Sequence, residues 1–346
     1  MSGLRFEAEI TPGMAPAEVA ALATQVERAG FDRLGISDVV LWHDCWVLMT
    51  LCAAATERLE IGPLVTNPYS RHPVVLAGAV ATLGEASGGR AFLGLGVGAG
   101  LEQFGMDYPR PVRTLREAVR ICRGLWAGEE VTFSGEVFSA DRARLKSPPA
   151  ASPALVLGSR SPGVMRLAGE LSDRVLIGAR YWSVAQADEY RGWLAEGAAR
   201  VDRPLESLEI SPRLTVCISA DGDLARRSVK RYVAHYLSIL RPPDLDLRPG
   251  LLEAVDAALA EARGWYFDHG RHDPPALFDL IDDDLVERFA VAGTPAECVE
   301  QMRRISELGF DSFSLNLAAV ARQTMYGGLA ETIDGAARVL ATLRAA

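Results

Sequence analysis

The chain has 346 residues, of which 49% are hydrophobic and 23% are charged, and its 36 basic and 45 acidic side chains give a formal net charge of -9. This composition excludes an intrinsically disordered chain, which combines low hydrophobicity with high net charge. The acidic balance also argues against a nucleic-acid partner, because phosphate neutralisation needs a clustered basic face.

Membrane insertion and secretion are not expected either. No apolar run approaches the ~18 residues of a membrane span, and the first residues, MSGLRFEAEITPG, lack the basic start and apolar core of a signal peptide. The five cysteines and five histidines are dispersed without C-x-x-C or H-E-x-x-H spacing. We therefore expect a cytoplasmic protein with reduced thiols and no metal site.

Short apolar segments alternate along the chain with longer amphipathic ones, which predicts strands alternating with helices. The segments predicted as strands are 4–10, 32–37, 59–67, 90–98, 154–158, 174–179, 208–219 and 311–318. The helices predicted between and after them are 16–29, 43–56, 73–86, 110–127, 162–171, 183–200 and 325–344. A small hairpin is expected at 131–139.

Strand–helix alternation produces parallel strands joined by right-handed crossovers. Eight such units favour a closed barrel over an open sheet, so the sequence predicts an α/β fold, a (β/α)8 TIM barrel, as one domain over residues 1–346. The alternation breaks over 220–292, where helical patterns at 224–240 and 249–267 are joined by proline-rich or acidic connections. We interpret this stretch as a mostly helical insertion that caps the C-terminal ends of the strands.

Barrel sites lie at the C-terminal strand ends, so polar residues directly after the strands are the first candidates. Asp38 follows the second strand, and a carboxylate there is either the N-cap of the next helix or a site group. His72 precedes Pro73 at a predicted helix start, where it either bonds to a neighbouring residue or takes part in proton transfer.

Two glycine-containing segments each have a structural and a functional interpretation. The stretch 158–163 ends a strand and opens a helix, so it is either a phosphate cradle with Ser159, Arg160 and Ser161 as extra donors or an ordinary turn with a serine N-cap. The glycines at every second position of 94–100 lie on one face of a strand. They serve either close packing inside the barrel or a floor flat enough for an aromatic ring system.

Four segments carry a resemblance to a known family: VTNPYSRHP (65–73), ATLGEASGGRAFLGLGVGAG (81–100), LAGELSDRVLIG (167–178) and AGTPAEC (292–298). Together they resemble the luciferase-like monooxygenase superfamily, and most closely its branch that uses the deazaflavin coenzyme F-420, typified by methylenetetrahydromethanopterin reductase. The resemblance implies a barrel with an insertion, no metal, and a non-prolyl cis peptide bond behind the central ring of the coenzyme. Matching positions place that bond at Leu64-Val65.

The resemblance also implies a set of site residues. The positions that match the family's coenzyme site are Asp38, Leu64, Val65, Thr66, Asn67, Gly98, Ala99, Gly158, Ser159, Arg160 and Ser161. Thr66 and Asn67 would lie beside the ring, residues 158–161 would hold the coenzyme phosphate, and Asp38 would sit near the substrate-facing side of the ring.

The chain departs from related dehydrogenases at two positions. Val39 stands where they carry a histidine, and Ala99 stands where related members carry Asp or Glu. Glu102 lies one helical turn away and is a candidate to substitute for that acid. The candidates for proton transfer are therefore Asp38, Glu102 and His72.

These observations predict an F-420-dependent oxidoreductase that transfers a hydride between the coenzyme ring C5 and a small organic substrate, with reduction of a C=N or C=C bond expected. One alternative is an FMN-dependent monooxygenase on the same barrel, and another is a flavin-binding barrel without catalysis. The resemblance further implies a homodimer in which helices near the second and third strands pack together.

Overall fold

Parallel strands form the barrel that the strand–helix alternation predicts. The computed structural model describes residues 4–98, 100–269, 271–310 and 312–345. In chain order the strands are β1 (Arg5–Ile10), β2 (Arg33–Ile36), β3 (Glu60–Pro63), β4 (Phe92–Leu95), β5 (Val131–Ser134), β6 (Ser139–Ala143), β7 (Ala154–Ser159), β8 (Arg174–Ile177), β9 (Glu209–Ile218), β10 (Ala290–Gly293) and β11 (Ser312–Leu317).

The barrel strands follow one another in the order β3-β2-β1-β11-β9-β8-β7-β4. All of these neighbours pair in parallel. Isolated parallel bridges join Ile61 to Ala91 and Thr66 to Leu95, and they close the barrel between β3 and β4. The TIM-barrel fold class predicted from the sequence is therefore confirmed.

Helices surround the barrel and begin where the sequence provides start signals. They are α1 (Pro16–Arg28), α2 (Cys45–Ala54), α3 (Pro73–Ala86), α4 (Pro111–Trp126), α5 (Pro162–Leu171), α6 (Val184–Ala199), α7 (Gly222–Leu240), α8 (Leu251–Glu261), α9 (Pro275–Leu280), α10 (Asp283–Phe289), α11 (Pro295–Ser306) and α12 (Met325–Ala345). Several start with proline, whose missing N–H costs nothing in the first turn. Thr294 and Glu297 form a capping box at the start of α11.

The stretch predicted as an insertion contains α7 to α10 and the short strand β10, which the sequence analysis did not predict. β10 pairs with residues 215–218 of β9, beyond the part of β9 that pairs with β8. The helix predicted over 249–267 ends earlier, at Glu261, because Ala262 is extended and Gly264 is left-handed. In the described residues after α8, Arg263 and His272 form an isolated antiparallel bridge, and Phe267 contacts Trp42.

The inside of the barrel combines charged side chains with a small apolar cluster of Leu64, Phe92, Val156 and Leu176. Along β1, Phe6 and Ala8 join the outer core under the helices, whereas Glu7 and Glu9 point inward and are buried. Arg33 lies at the start of β2, where its guanidinium donates to Glu209 Oε2 at 2.9 Å and lies 3.6 Å from Glu60. Arg174 at the start of β8 also pairs with Glu60. These ion pairs form the floor of the barrel at the N-terminal ends of its strands.

Candidate functional site at the mouth of the barrel

Asp38 and Thr66 bring the ends of two neighbouring strands together. Thr66 is fully buried, and its hydroxyl donates to Asp38 Oδ2 at 2.6 Å. The N-cap of α2 is Asp44, whose carboxylate accepts from Trp46 N at 2.9 Å. The helix-cap interpretation of Asp38 is therefore excluded, and its half-buried carboxylate remains a polar group at the barrel mouth.

The segment after β3 is held in place by its neighbour β4. The peptide bond between Leu64 and Val65 is cis, at the position where the family resemblance places it. Thr66 N donates to the carbonyl of Gly94, and Gly96 N donates to the carbonyl of Thr66, both at 2.9 Å. The main chain of 64–66 is therefore fixed against the barrel wall.

The alternating glycines make room for this segment. A Cβ at Gly94 would lie 2.2 Å from the carbonyl oxygen of Pro63, and one at Gly96 would lie 2.6 Å from a methyl group of Val65. A Cβ at Gly158 on β7 would meet the other methyl group of Val65 at 2.8 Å. The structure thus supports close packing as the reason for these glycines, since Val65 fits only between two residues that lack side chains.

Asn67 shapes the loop that continues from Thr66. Its side chain is buried, and Oδ1 accepts from the backbone N–H groups of Tyr69 at 3.0 Å and Ser70 at 2.8 Å. Gly98 packs beside Asn67 in the left-handed conformation, with φ of 76°. Ala99, which the resemblance assigns to the coenzyme site, lies outside the described residues.

The candidate phosphate cradle is a capped turn between β7 and α5. Ser161 is the N-cap of α5, accepting from Val164 N at 3.4 Å, and Ser161 N donates to the hydroxyl of Ser159 at 3.1 Å. Arg160 is exposed and forms no ion pair within the described part of the chain. The turn therefore combines two hydroxyls, a guanidinium and a helix N-terminus, a donor set suited to an anion.

The structure gives His72 and Glu102 local partners. His72 is the N-cap of α3, and its Nδ1 accepts from Val74 N at 3.3 Å. Glu102 is exposed and accepts from the Tyr108 hydroxyl at 2.8 Å. Its own backbone N–H and that hydroxyl lower the pKa of Glu102, which favours the ionised form at neutral pH. Neither residue has a described contact with Asp38.

Glu9, an interior residue near Asp38, was not among the sequence candidates. Glu9 is fully buried, accepts from the hydroxyl of Ser37 at 2.8 Å and forms an ion pair with Arg213 of β9. The available signal was the alternation RFEAEI in β1, which places two glutamates on one face. That alternation separates the glutamates from Phe6 and Ala8, but only closure of the barrel decides which of the two faces lies inside.

A further buried arginine lies where the insertion covers the barrel. Arg180 follows β8 and is 1% exposed. Its Nε donates to Thr215 Oγ1 at 3.1 Å and its Nη2 donates to Asn316 Oδ1 at 3.2 Å. Its guanidinium carbon lies 4.7 Å from the ring centroid of Tyr236 on α7, a cation–π distance. The side chain thus joins two barrel strands to the insertion.

Aromatic side chains of the insertion complete the cover. The hydroxyls of Tyr236 and Tyr266 are 3.0 Å apart, and the rings of Phe267 and Trp42 meet edge to face at 5.3 Å. Burial raises the pKa of Tyr236, but the charges of Arg180 and Arg213 outweigh burial, so its pKa lies below the usual value. Arg180 and Tyr236 are therefore both buried beneath the insertion, and the arginine charges favour the ionised form of Tyr236.

The pKa of His235, next to Tyr236 on α7, is also lowered, by burial and by arginine charges. Burial, together with the charges of Arg231, Arg160 and Arg180, lowers the pKa of His235 to about 4. The imidazole is therefore neutral at physiological pH.

The described residues also bear on two classes of site considered from the sequence. Within them, no helix is both long enough and apolar enough to cross a membrane. The same residues contain no group of three or more His, Cys, Asp or Glu side chains placed to hold a metal ion. All five cysteines are free and buried.

Comparison with known proteins gives consistent matches. The family model described as luciferase-like monooxygenase matches residues 3–312. A 5,10-methylenetetrahydromethanopterin reductase of Archaeoglobus fulgidus is 30% identical over 88% of this chain and 91% of its own length. An F-420-dependent glucose-6-phosphate dehydrogenase of Beutenbergia cavernae is 35% identical over 86% of each chain.

The solved structure of a coenzyme F-420-dependent tetrahydromethanopterin reductase from Methanopyrus kandleri aligns with a TM-score of 0.80. It covers 96% of this chain and 98% of its own, at 23% sequence identity. At that identity the match supports the fold.

Proposed function

Because the chain belongs to the luciferase-like monooxygenase family, we propose that it is an oxidoreductase dependent on coenzyme F-420. It transfers a hydride between the coenzyme ring and a small organic substrate, and we expect that substrate to contain an electron-poor C=N or C=C bond. The observation that carries the proposal is the segment 64–67, which is fixed between glycines of β4 and β7 and bonded to Asp38. Relatives named as F-420-dependent glucose-6-phosphate dehydrogenases support the coenzyme.

The donor set of this chain fits a phosphorylated deazaflavin. When bound, the coenzyme supplies the hydride donor or acceptor at ring C5. Ser159, Arg160, Ser161 and the start of α5 would hold its phosphate. The side-chain oxygen of Asn67 is already used by Tyr69 and Ser70, so Asn67 would meet the ring through its amide nitrogen or main chain.

The remaining chemistry belongs to side chains of the mouth. The Thr66 hydroxyl donates to Asp38 Oδ2, which holds that carboxylate in one orientation beside the ring site. A carboxyl group fixed in this way is placed to exchange a proton with substrate while the hydride moves. The rings of Tyr232, Tyr266 and Phe267 in the insertion would shield the bound coenzyme and substrate from water, which would strengthen these electrostatic interactions.

We also propose a homodimer in which α2 and α3 form the interface. α2, with the sequence CWVLMTLCAA, contains no charged residue, and a helix that is apolar all round is normally buried. Yet Val47 and Leu51 of α2 are 60% and 41% exposed, and Val75 of α3 is 54% exposed. A second copy would cover these side chains, and sedimentation at several concentrations tests this.

The free cysteines agree with a cytoplasmic location.

Titration of the purified protein with oxidised F-420 and with FMN, followed by ligand fluorescence, tests the proposed function. We expect tight binding of F-420 and weak binding of FMN, after which a screen of imine and enone acceptors identifies the substrate. Preference for FMN, with oxygen consumption when FMN is reduced, would establish the monooxygenase alternative. Tight F-420 binding without turnover of any acceptor would favour a barrel without catalysis.

A further inference from the structure

The arginines inside the barrel differ in their partners. Arg33 pairs with Glu209, Arg174 pairs with Glu60, and Arg213 pairs with Glu9. Arg180 has no carboxylate within ion-pair distance among the described residues. Buried charges are normally paired, because an isolated charge loses its hydration without compensation. Arg180 is therefore the exception that needs a physical explanation.

The hydrogen bonds of Arg180 leave its charge uncompensated. Its two acceptors, the hydroxyl of Thr215 and the amide oxygen of Asn316, are both neutral. Among the described residues its Nη1 is buried and has no hydrogen-bond partner; Arg33 Nε and Arg174 Nη1 share this feature, but those two arginines also pair with carboxylates. A guanidinium offers five N–H donors in a planar fork that fits a carboxylate or phosphate through two parallel bonds. Part of that fork is unused here.

The groups around Arg180 do not supply the missing negative charge. The charges of Arg160, Arg180 and Arg231 all act on His235, whose pKa they lower together with burial. Arg213 acts on Tyr236, but its own charge is balanced by Glu9. Arg231 pairs with Asp273, so Arg160 and Arg180 are the two of these arginines that lack a carboxylate partner among the described residues.

We propose that Arg180 binds an oxyanion group, a carboxylate or phosphate, on the organic substrate. This inference rests on the proposed function and narrows its substrate class to anionic acceptors or donors. The substrate is favoured over the coenzyme phosphate because the contacts of Arg180 are with Thr215, Asn316 and Tyr236, none of which belongs to the turn 158–161 that would hold that phosphate. Arg180 thus positions the far end of the substrate beneath the insertion.

The first test uses F-420-loaded protein, in which the coenzyme occupies its own phosphate cradle. Inorganic phosphate and succinate are added separately, and binding is followed by the shift in melting temperature and by coenzyme fluorescence. We expect both anions to bind the wild type, Arg180→Gln to weaken this at least tenfold, and Arg180→Lys to keep part of it. Arg144→Gln, an exposed arginine, controls for non-specific anion effects and should match the wild type.

The outcomes separate this inference from the proposed function. If F-420 binds but the anion response is the same in wild type and Arg180→Gln, the inference is wrong and the coenzyme assignment stands. If Arg180→Gln weakens F-420 itself as strongly as it weakens the anions, Arg180 belongs to the coenzyme site and the substrate assignment is overturned. If the wild type does not bind F-420, the proposed function fails first.

A structural role for Arg180 predicts a different result for Arg180→Met. If Arg180 stabilises the fold, its removal should lower the melting temperature of the unliganded protein by several degrees. An unpaired buried charge should leave the melting temperature unchanged or raise it, while the anion response is lost. A destabilised Arg180→Met together with an unchanged anion response in Arg180→Lys would overturn the inference.

Discussion

The two ends of the barrel interior are built from the same residue types but balanced differently. At the N-terminal ends of the strands, Arg33 and Arg174 share Glu60 and Glu209 in a closed set of ion pairs. At the C-terminal ends, Arg180 bonds only to neutral groups, and Asp38 bonds to a threonine hydroxyl. The floor arginines are therefore paired with carboxylates, although Arg33 Nε and Arg174 Nη1 have no hydrogen-bond partner among the described residues, whereas Arg180 meets only neutral groups there.

The difference in charge pairing between the two ends shows how one barrel separates residues that stabilise the fold from residues that bind ligands. A paired charge holds strands together, and removing one member leaves its partner buried alone. An unpaired charge contributes little to folding but is ready for a ligand. In TIM barrels generally, the lower face contributes stability and the upper face carries the site, and here the charge pairing itself follows that division.

The largest effect on the floor should come from Arg33→Met. This change leaves Glu209 and Glu60, whose side chains are 26% and 42% exposed, with less compensating charge, so we expect a loss of about 1–3 kcal/mol of unfolding free energy. Urea denaturation measures it. A loss below about 1 kcal/mol would mean that the floor pairs do not stabilise the barrel, and the contrast with Arg180→Met would disappear.

At the mouth, Asp38→Asn should act on activity rather than on folding. The amide oxygen of Asn can still accept from the Thr66 hydroxyl, so the melting temperature and F-420 affinity should stay close to wild type. Turnover of the acceptor found in the screen should fall about 10²-fold, because the proton-exchanging group is lost. Thr66→Val, which removes the hydrogen bond but keeps the carboxylate, is the companion variant and should lose less.

Wild-type turnover by Asp38→Asn would remove Asp38 from the proton-transfer step. Attention would then move to Glu9, the buried carboxylate that accepts from the neighbouring Ser37.

Gly96→Ala should disturb the coenzyme site through packing. The new methyl group would lie 2.6 Å from Val65, so the segment 64–66 must shift. We expect F-420 affinity to fall about tenfold, or roughly 1.4 kcal/mol. Gly192→Ala on α6 is the matched control, because a Cβ there meets nothing within 4 Å. Equal F-420 affinity in both variants would show that the ring site does not depend on this contact.

The smallest effect concerns the dependence of stability on pH. The pKa of His235 is lowered to about 4, below its usual 6.5, so the unfolded chain binds a proton between these values while the folded chain does not. His235 therefore costs stability as the pH falls from about 6.5 to about 4. Urea denaturation of His235→Gln should lose less stability over this window than wild type. Parallel pH profiles would mean that His235 is solvated rather than held among the arginines.

Much of the fold could be predicted because its signals are local. The strand–helix alternation, the prolines at helix starts and the serine before Pro162 each act within a few residues, and they give the barrel strands, most helices and the capped turn at 158–163. β10 was missed because it has only four residues and pairs with the end of β9 far along the chain. The helix predicted over 249–267 was too long because Gly264 adopts a left-handed conformation, and the hydrophobic pattern of the sequence does not signal that change.

The features of the candidate site also separate into those that local sequence predicts and those that depend on tertiary contacts. The sequence by itself determined the barrel, the glycine spacing and the loops that carry Asp38, Thr66, Asn67 and Ser161, because periodicity and turn chemistry are properties of neighbouring residues. Only the tertiary structure decided which strand faces point inward and which charges meet there. The isolation of Arg180 depends on positions 180, 215, 236 and 316, which barrel closure brings together from distant parts of the chain. A strand's period of two gives its two faces but not which one is enclosed, and that information comes from closure.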